Sequence, residues 1–401
     1  MQSKTFKTFD PKSVPSPCFV VDEVAVENNL KVLHRVQQES GAKVLAALKA
    51  FSMWSLAPLV SKYLSGTCSS GLNEAKLGHQ EYGGEVHVFS AAYSEADLKE
   101  ILEIADHLVF NSFNQWFRFK KLVRKTQQQR GGKPEVGLRI NPQHSEGAVE
   151  IYDPCAPCSR LGIPYSEFQR VEAEIAQSNS KTDYLDGISG LHFHTLCEQG
   201  FDPLDRTLAH VEQVFGDIIP TMKWINFGGG HHISHPDYQV DALIERIKGF
   251  KAKYDVEVYL EPGEAVAIHT GVLVTEVLDL TVNSMNLAIL DTSATCHMPD
   301  TLEMPYRPDI FGAGEPQALA HTYRLGGMTC LAGDVINDYS FEQPLKIGQR
   351  IVFDDMSHYT MVKTTTFNGI NLPSIAIWNS ETDKVEVIKR FGYADFKHRL
   401  S

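Results

Sequence analysis

The sequence predicts an α/β protein: a (β/α)8 barrel followed by a C-terminal antiparallel β domain. Three observations predict it. Strand-like and helix-like runs alternate about eight times through the first two-thirds of the chain, the count of a closed parallel barrel. The texture then changes to short β-rich runs divided by Gly, Pro and Asn. Residues of chemical type also close the apolar runs of the first part: Lys49 ends KVLAALKA, Arg139 ends EVGLRI and His194 ends GISGLHFH. Gly228, Gly229 and Gly230 follow KWINF, and Glu261 follows VEVYL. Parallel strands joined by helices share one carboxyl-terminal face, so these positions are expected on one rim. An open doubly wound sheet is the alternative, because the strand near Thr67 and Cys68 is short.

Each element has its own signal. After PSPCFVVD, the run EVAVENNLKVLHRVQQ carries Val26, Leu30, Leu33 and Val36 at helical spacing. The strand ending at Lys49, the helix SLAPLVSKYL and the short strand at Thr67 and Cys68 follow. EVHVFS, SEADLKEILEIA, HLVFN and NQWFRFKKLVRK continue the alternation. EVGLRI, a long loop from Asn141 to Gly162, SEFQRVEAEIA and GISGLHFH come next. LDRTLAHVEQVF, WINF, DALIERIKGFKAKY and VEVYLE complete the barrel. Beyond Glu264, GVLVTEVLDLTV, LAILDTS, RIVFDD, YTMVKT, SIAIWN and KVEVIKR read as strands, with no helix of any length between them. The expected division is 1–24 as a segment joining the β domain, 25–266 as the barrel and 267–401 as the β domain.

Composition narrows the function classes. The 401 residues exceed one compact core, and 43% hydrophobic with 22% charged residues is ordinary for a globular protein. The start MQSKTFKTFDPKSVPSP lacks a signal-type apolar core, and acids interrupt even LVTEVLDLTV, so a cytoplasmic protein without membrane spans is expected. Seven scattered cysteines fit reduced thiols. A net charge of −13 argues against nucleic acid and for cationic ligands.

The residue types at the expected rim name a chemistry. A lysine held by apolar neighbours stays unprotonated more readily and can attack an aldehyde, so Lys49 is expected to be poorly exposed. Consecutive glycines let backbone N–H groups converge on an anion, which suits a phosphate at Gly228–Gly230. An acid such as Glu261 beside a pyridine nitrogen keeps that nitrogen protonated, and His194 can lie flat on a ring. In LHFHT, His192 shares the face of His194, and a satisfied core role suits His192 better. Together these residues point to pyridoxal 5'-phosphate, with Arg139 also on the cofactor side. No metal site is expected: Cys155 and Cys158 form a single CxxC, and adjacent His231 and His232 cannot share a helix face. RFKKLVRK reads as a solvated helix face.

The series ALKAF, GLHFHT, FGGGHH, LEPGEA, GMTCLAGD and FDDMSHYTMVKTTTFNG carries a family resemblance over nearly the whole chain. It resembles the alanine-racemase-type group of pyridoxal phosphate enzymes, which includes ornithine, arginine and diaminopimelate decarboxylases. The resemblance implies that Lys49 carries the cofactor, His194 stacks on it, the glycines hold its phosphate and Glu261 pairs with its ring nitrogen. It also implies a homodimer with two shared sites, in which Cys330 reaches the partner's site and acts on the α-carbon, while Tyr359 touches phosphate.

Two departures narrow the substrate. Glu264 stands where ornithine-type enzymes carry an arginine after EPG, and Leu331 stands where they carry an acid after the cysteine. With the insertion-like SATCHMPDTLEMPYRP, this resembles the carboxynorspermidine decarboxylases, which finish polyamines from carboxynorspermidine or carboxyspermidine. A long substrate with several ammonium groups calls for carboxylates along its pocket, and Glu264, Asp300 and Asp334 are the candidates. Diaminopimelate or another basic amino acid remains an alternative substrate. A racemase, which would need an arginine near the ring nitrogen, and a cofactor-homeostasis protein, which would lack the Cys330 and Tyr359 segments, are less favoured.

Overall fold

The computed structural model describes residues 5–147, 153–178 and 183–401; the middle of the expected 141–162 loop lies outside them. After a first strand, β1 (Cys18–Asp22), eight strands form a closed barrel. They are β2 (Lys43–Ala47), β3 (Gly66–Ser69), β4 (Glu85–Phe89), β5 (His107–Phe110), β6 (Glu135–Arg139), β7 (Gly190–His192), β8 (Trp224–Asn226) and β9 (Glu257–Leu260). Every neighbouring pair is parallel, and β2 closes on β9 through Lys43 opposite Tyr259 and Val44 opposite Leu260. The open-sheet alternative is thereby excluded, and the short β3 is a full member of the ring.

The outer helices follow from their apolar stripes and their caps. Helix Glu23–Ser40 buries Val26, Leu30, Leu33 and Val36 completely. Helix Glu95–Ile104 starts where the Ser94 side chain accepts from the Asp97 N–H at 3.0 Å, and Phe113–Gln129 starts where Ser112 accepts from Gln115. Inside the barrel, Trp224 fills the space left by two neighbouring strands: a Cβ at Gly137 or Gly190 would run into its ring. Here the absence of a side chain is what the packing requires.

The described residues form two compact units, 30–266 and a second made of 5–29 with 267–401. The second unit is built on β10 (Gly271–Asn283), β11 (Met285–Leu290), β12 (Ala313–Gly314), β13 (His321–Gly326), β14 (Val335–Phe341), β15 (Arg350–Asp354), β16 (Ser374–Asn379) and β17 (Lys384–Lys389). With β1 they make one nine-stranded sheet in the order β12-β14-β13-β11-β10-β1-β16-β17, with β15 paired to β10. The long β10 serves three partners, β1 and β15 near its start and β11 beyond Val277. The sheet is mixed rather than wholly antiparallel. β1 runs parallel to β16, and β11 runs parallel to β13, because each partner arrives through a long connection rather than a hairpin.

Three further expectations need correction, and the first is YTMVKT, which forms no strand: Met361–Lys363 is a short 3-10 turn. Lys49 and His194 do not end strands: β2 stops at Ala47 and β7 at His192, so both residues sit on the turns that follow. The β unit does contain helices, Ala294–His297, Asp300–Glu303 and the C-terminal Tyr393–Leu400. The last buries no residue, so it lacks the apolar stripe that marks a helix in sequence. Helix Leu72–Leu77, continued by a wide π turn at Gly78–Tyr82, was also invisible in the pattern. Among the described residues, no helix is long and apolar enough to cross a membrane.

The packing of Trp224 gives a stability prediction. Trp224→Ala should lower the unfolding free energy by about 3–5 kcal/mol in urea denaturation, the usual cost of emptying a large core site. A loss under about 1 kcal/mol would mean that the barrel interior does not depend on this side chain.

Candidate active site

The carboxyl ends of the barrel strands bring together Lys49, Arg139, His194, the glycine turn, Glu261 and Glu264. Lys49 Nζ lies 3.5 Å from His194 Nε2. His194 Nδ1 accepts the N–H of Gly229 at 3.0 Å, so its ring is pinned to the glycine turn on one side and faces the lysine on the other. Contrary to expectation, Lys49 is exposed. Its neighbours Leu48 and Ala50 are buried, but the turn after β2 carries the lysine itself up to the barrel mouth.

The glycine turn is a close-packed cradle. Gly228 and Gly230 adopt φ of +70° and +85°, which L side chains rarely tolerate. A Cβ on Gly228, Gly229 or Gly230 would collide with the carbonyl oxygens of Phe193, Glu261 and Leu196 respectively. The chain therefore needs glycine at all three positions, whatever the turn binds.

Glu261 is held from both sides. His192 Nε2 lies 3.1 Å from Oε2, and Asn226 Nδ2 donates to Oε1 at 2.8 Å. Burial alone would raise its pKa, but these contacts outweigh it and hold the carboxyl below its usual range. Burial and the nearby Arg139 and Lys49 hold His192 low, so it is neutral at pH 7 despite the pull of Glu261. His194 is likewise pushed well below its ordinary value by burial and then by Lys49 and Arg139. The neighbouring Cys68 thiol is raised well above its ordinary value, by burial first and then by Glu261, to which it hydrogen-bonds. Arg139 is 5% exposed, donates to the His194 carbonyl at 3.1 Å and lies 4.6 Å from the centre of the Phe89 ring. Burial lowers it to about 10, which leaves it cationic at neutral pH.

Glu264 opens the short helix after LEP and pairs with His232 Nε2 at 3.1 Å. His231 is buried and bonds Tyr238 through Nδ1 at 2.7 Å, a packing role. Sequence reasoning treated these two histidines alike, and the structure separates them. It also missed Asn226 and Cys68; the signal for Asn226 was its place two residues before the first glycine of the turn.

At the opposite, amino end of the barrel, Glu85, His87 and His107 bring three ligand-type atoms within 4.8 Å of one another. Lys43 places its ammonium on Glu85 Oε1 at 2.6 Å, and the two imidazoles stack with centroids 4.0 Å apart and planes 23° off parallel. Both imidazoles also approach Glu85 Oε2, His87 Nε2 at 2.9 Å and His107 Nδ1 at 3.9 Å. The group is a charge-balanced layer of the core.

In the β unit, Asp334 is 4% exposed and accepts from Ser293 Oγ at 2.9 Å, Thr329 Oγ1 at 2.7 Å and the Thr295 and Thr329 N–H groups at 3.2 Å. It was expected on the substrate side; its oxygens are instead spent on tying down the Gly327–Gly333 loop. That loop presents Cys330, which is exposed and whose N–H donates to Asn368 Oδ1 at 2.8 Å. Asp300 differs. Its Oδ2 accepts from Tyr306 at 2.9 Å and Thr360 at 2.8 Å, while Oδ1 is buried with no partner among the described residues. His297 is buried, bonding the Asn371 carbonyl at 3.0 Å. Tyr359 adopts φ +49°, on the segment where Asp355 accepts the His269 N–H at 2.6 Å and meets His358 at 3.2 Å.

The fold and the rim define a class. The family described as "Pyridoxal-dependent decarboxylase, C-terminal sheet domain" matches residues 18–357, and the chain belongs to it. Within that class it is similar to the carboxyaminopropylagmatine decarboxylase of Synechocystis, 41% identical over 390 residues, covering 97% of this chain and 96% of that one. It is equally similar to the carboxynorspermidine/carboxyspermidine decarboxylase of Campylobacter jejuni, 41% identical over 399 residues, with 97% and 99% covered. The crystal structure of carboxynorspermidine decarboxylase from Campylobacter jejuni complexed with norspermidine superposes with a TM-score of 0.85 at 40% identity, over 96% of this chain and 100% of that one.

The reading of Asp334 is testable. Asp334→Ala leaves several buried donors without an acceptor and should cost about 2–4 kcal/mol of stability, given about 1–3 for each unsatisfied group. A variant of unchanged thermal midpoint but raised Michaelis constant would return Asp334 to the substrate side.

Proposed function

We propose that this enzyme decarboxylates carboxynorspermidine or carboxyspermidine with pyridoxal 5'-phosphate as cofactor. The observation that carries the reading is the convergence, within one barrel rim, of Lys49, His194, the glycine cradle and a doubly held Glu261. The rim residues fit that cofactor. Three glycines, each barred from bearing a Cβ, keep side chains away from the place a phosphate would take, while the Gly228 and Gly229 N–H groups are held by Asn226 Oδ1 and His194 Nδ1 and fix the turn. Lys49, exposed at the mouth, would supply the amine for the cofactor aldehyde; His194, fixed by Gly229, would pack against the ring, and Arg139 would add positive charge. Glu261, held by His192 and Asn226, would pair with the ring nitrogen. Bound there, pyridoxal phosphate supplies the electron sink for the charge left on the α-carbon as carbon dioxide departs. The family pattern around FDDMSHYT supports Tyr359 as a further phosphate contact.

The remaining groups handle the substrate and the proton. Cys330, on the loop that Asp334 and Asn368 fix, delivers a proton to the α-carbon in the site of a second subunit. Met328, Leu331 and Phe367 around it are 46%, 46% and 43% exposed, an apolar fringe suited to burial against another copy. Glu264, at the barrel rim, would take an ammonium group of a long polyamine, and Asp300, whose Oδ1 is buried without a partner among the described residues, is a separate candidate for another. Leu331 in place of an acid disfavours a short diamine, which would leave those carboxylates unpaired at about 1–3 kcal/mol each.

A second reading has its own support: the Synechocystis relative is as similar as the Campylobacter one and is named for a substrate built on agmatine. That substrate ends in a planar guanidinium in place of an ammonium. Carbon dioxide release from carboxynorspermidine, carboxyspermidine, carboxyaminopropylagmatine, meso-diaminopimelate and ornithine separates the possibilities. One of the first two should have the highest specificity constant, by about tenfold or more over the amino acids, and the active species should sediment as a dimer. A preference for carboxyaminopropylagmatine would install the second reading; a preference for diaminopimelate or ornithine would overturn both.

A further inference from the structure

Glu261 cannot hold its own position. It sits inside the barrel, where an isolated carboxylate would take up a proton and lose its use as a partner for a pyridinium. What prevents this lies one layer beneath the rim. His192, 2% exposed, points Nε2 at Oε2, and Asn226, 1% exposed, points its amide nitrogen at Oε1. A carboxylate only accepts, so His192 carries its proton on Nε2. Its Nδ1 is buried without a partner among the described residues, so nothing there stabilises a second proton. The direct contacts on the carboxylate are therefore two N–H donors, one to each oxygen.

Asn226 does a second thing. Its Oδ1 accepts the N–H of Gly228 at 2.8 Å, and the Gly228 carbonyl in turn accepts the Glu261 N–H at 2.8 Å. One amide side chain thus spans the carboxylate and the first residue of the cradle.

We propose that His192 and Asn226 are positioning residues that keep Glu261 ionised and aimed, and that Asn226 couples that aim to the geometry of the glycine turn. The inference rests on the reading that Glu261 meets the cofactor's ring nitrogen and that the turn holds its phosphate. It assigns work to two side chains that would otherwise count as core packing.

The test uses the holoenzyme reconstituted with pyridoxal phosphate labelled with 15N in the ring. The 15N resonance reports protonation of the ring nitrogen directly, a quantity that a merely structural role would not move. His192→Phe should shift it toward the unprotonated position and lower kcat by about 10- to 100-fold with KM little changed, the scale of losing one charge-assisted hydrogen bond. His192→Gln, which keeps an N–H donor, should restore most of both. Asn226→Ala should in addition raise the dissociation constant for pyridoxal phosphate by about tenfold, since Gly228 loses its acceptor. Asn226→Asp keeps that acceptor but sets a second carboxylate against Glu261, so it should lower kcat while binding the cofactor nearly as well as the parent. Wild-type resonance and kcat in His192→Phe and Asn226→Asp would overturn the proposal, and unchanged cofactor affinity in Asn226→Ala would overturn the coupling. Glu261→Gln is the control. If it too leaves the resonance unmoved, the assignment of Glu261 to the ring nitrogen has failed; if it moves the resonance and the others do not, only the positioning roles have failed.

Discussion

The parallel closure of eight short strands is the constraint on which the rest depends. Once β2 pairs with β9, every strand points the same way, and the turns after β2, β7, β8 and β9 must emerge at one end. Five of the strands have only three or four residues, so the distance from the packed interior to the rim is short. A side chain at a strand's last residue can still be core, while one two positions on is at the mouth. His192 and His194 divide in this way, the first buried beneath Glu261 and the second beside Lys49.

The two ends of the barrel solve the problem of buried polarity differently. At the amino end, Lys43, Glu85 and the two stacked imidazoles neutralise one another and are packed by Trp224 and Tyr259. At the carboxyl end, Glu261 is left with its charge, supported by neutral donors, while Arg139 is spread on Phe89 and the His194 carbonyl. The first arrangement is internally satisfied. The second keeps unlike groups in reach of a common space, which is the usual mark of a site for chemistry. The β unit repeats the contrast: Asp334 is saturated by donors from its own loop and from Ser293 and Thr295, and Asp300 keeps one oxygen without a partner among the described residues.

Much of this was legible in the sequence because barrel strands buried on both faces read as apolar runs, and several of those runs are closed or closely followed by a residue of chemical type. The fully buried stripe of Val26, Leu30, Leu33 and Val36 was legible for the same reason. What escaped notice was set by partners far away in sequence. Nothing around Asn226 shows that it will bridge Glu261 and Gly228, and nothing around Asp334 shows that Ser293, 41 positions earlier, will occupy both its oxygens. The exposure of Lys49 was misjudged because its apolar neighbours, Leu48 and Ala50, are buried by the turn that lifts the lysine out. The parallel pairings of β1 with β16 and of β11 with β13 depend on long connections, for which a local strand pattern carries no signal.

The central claim is that Lys49 is the residue that carries the cofactor, with the other rim groups arranged around it. Borohydride reduction of the protein reconstituted with pyridoxal phosphate, followed by peptide mapping, addresses it directly. The account predicts a single modified peptide with the label on Lys49, and loss of the label in Lys49→Ala. A stoichiometric label on any other lysine would contradict it.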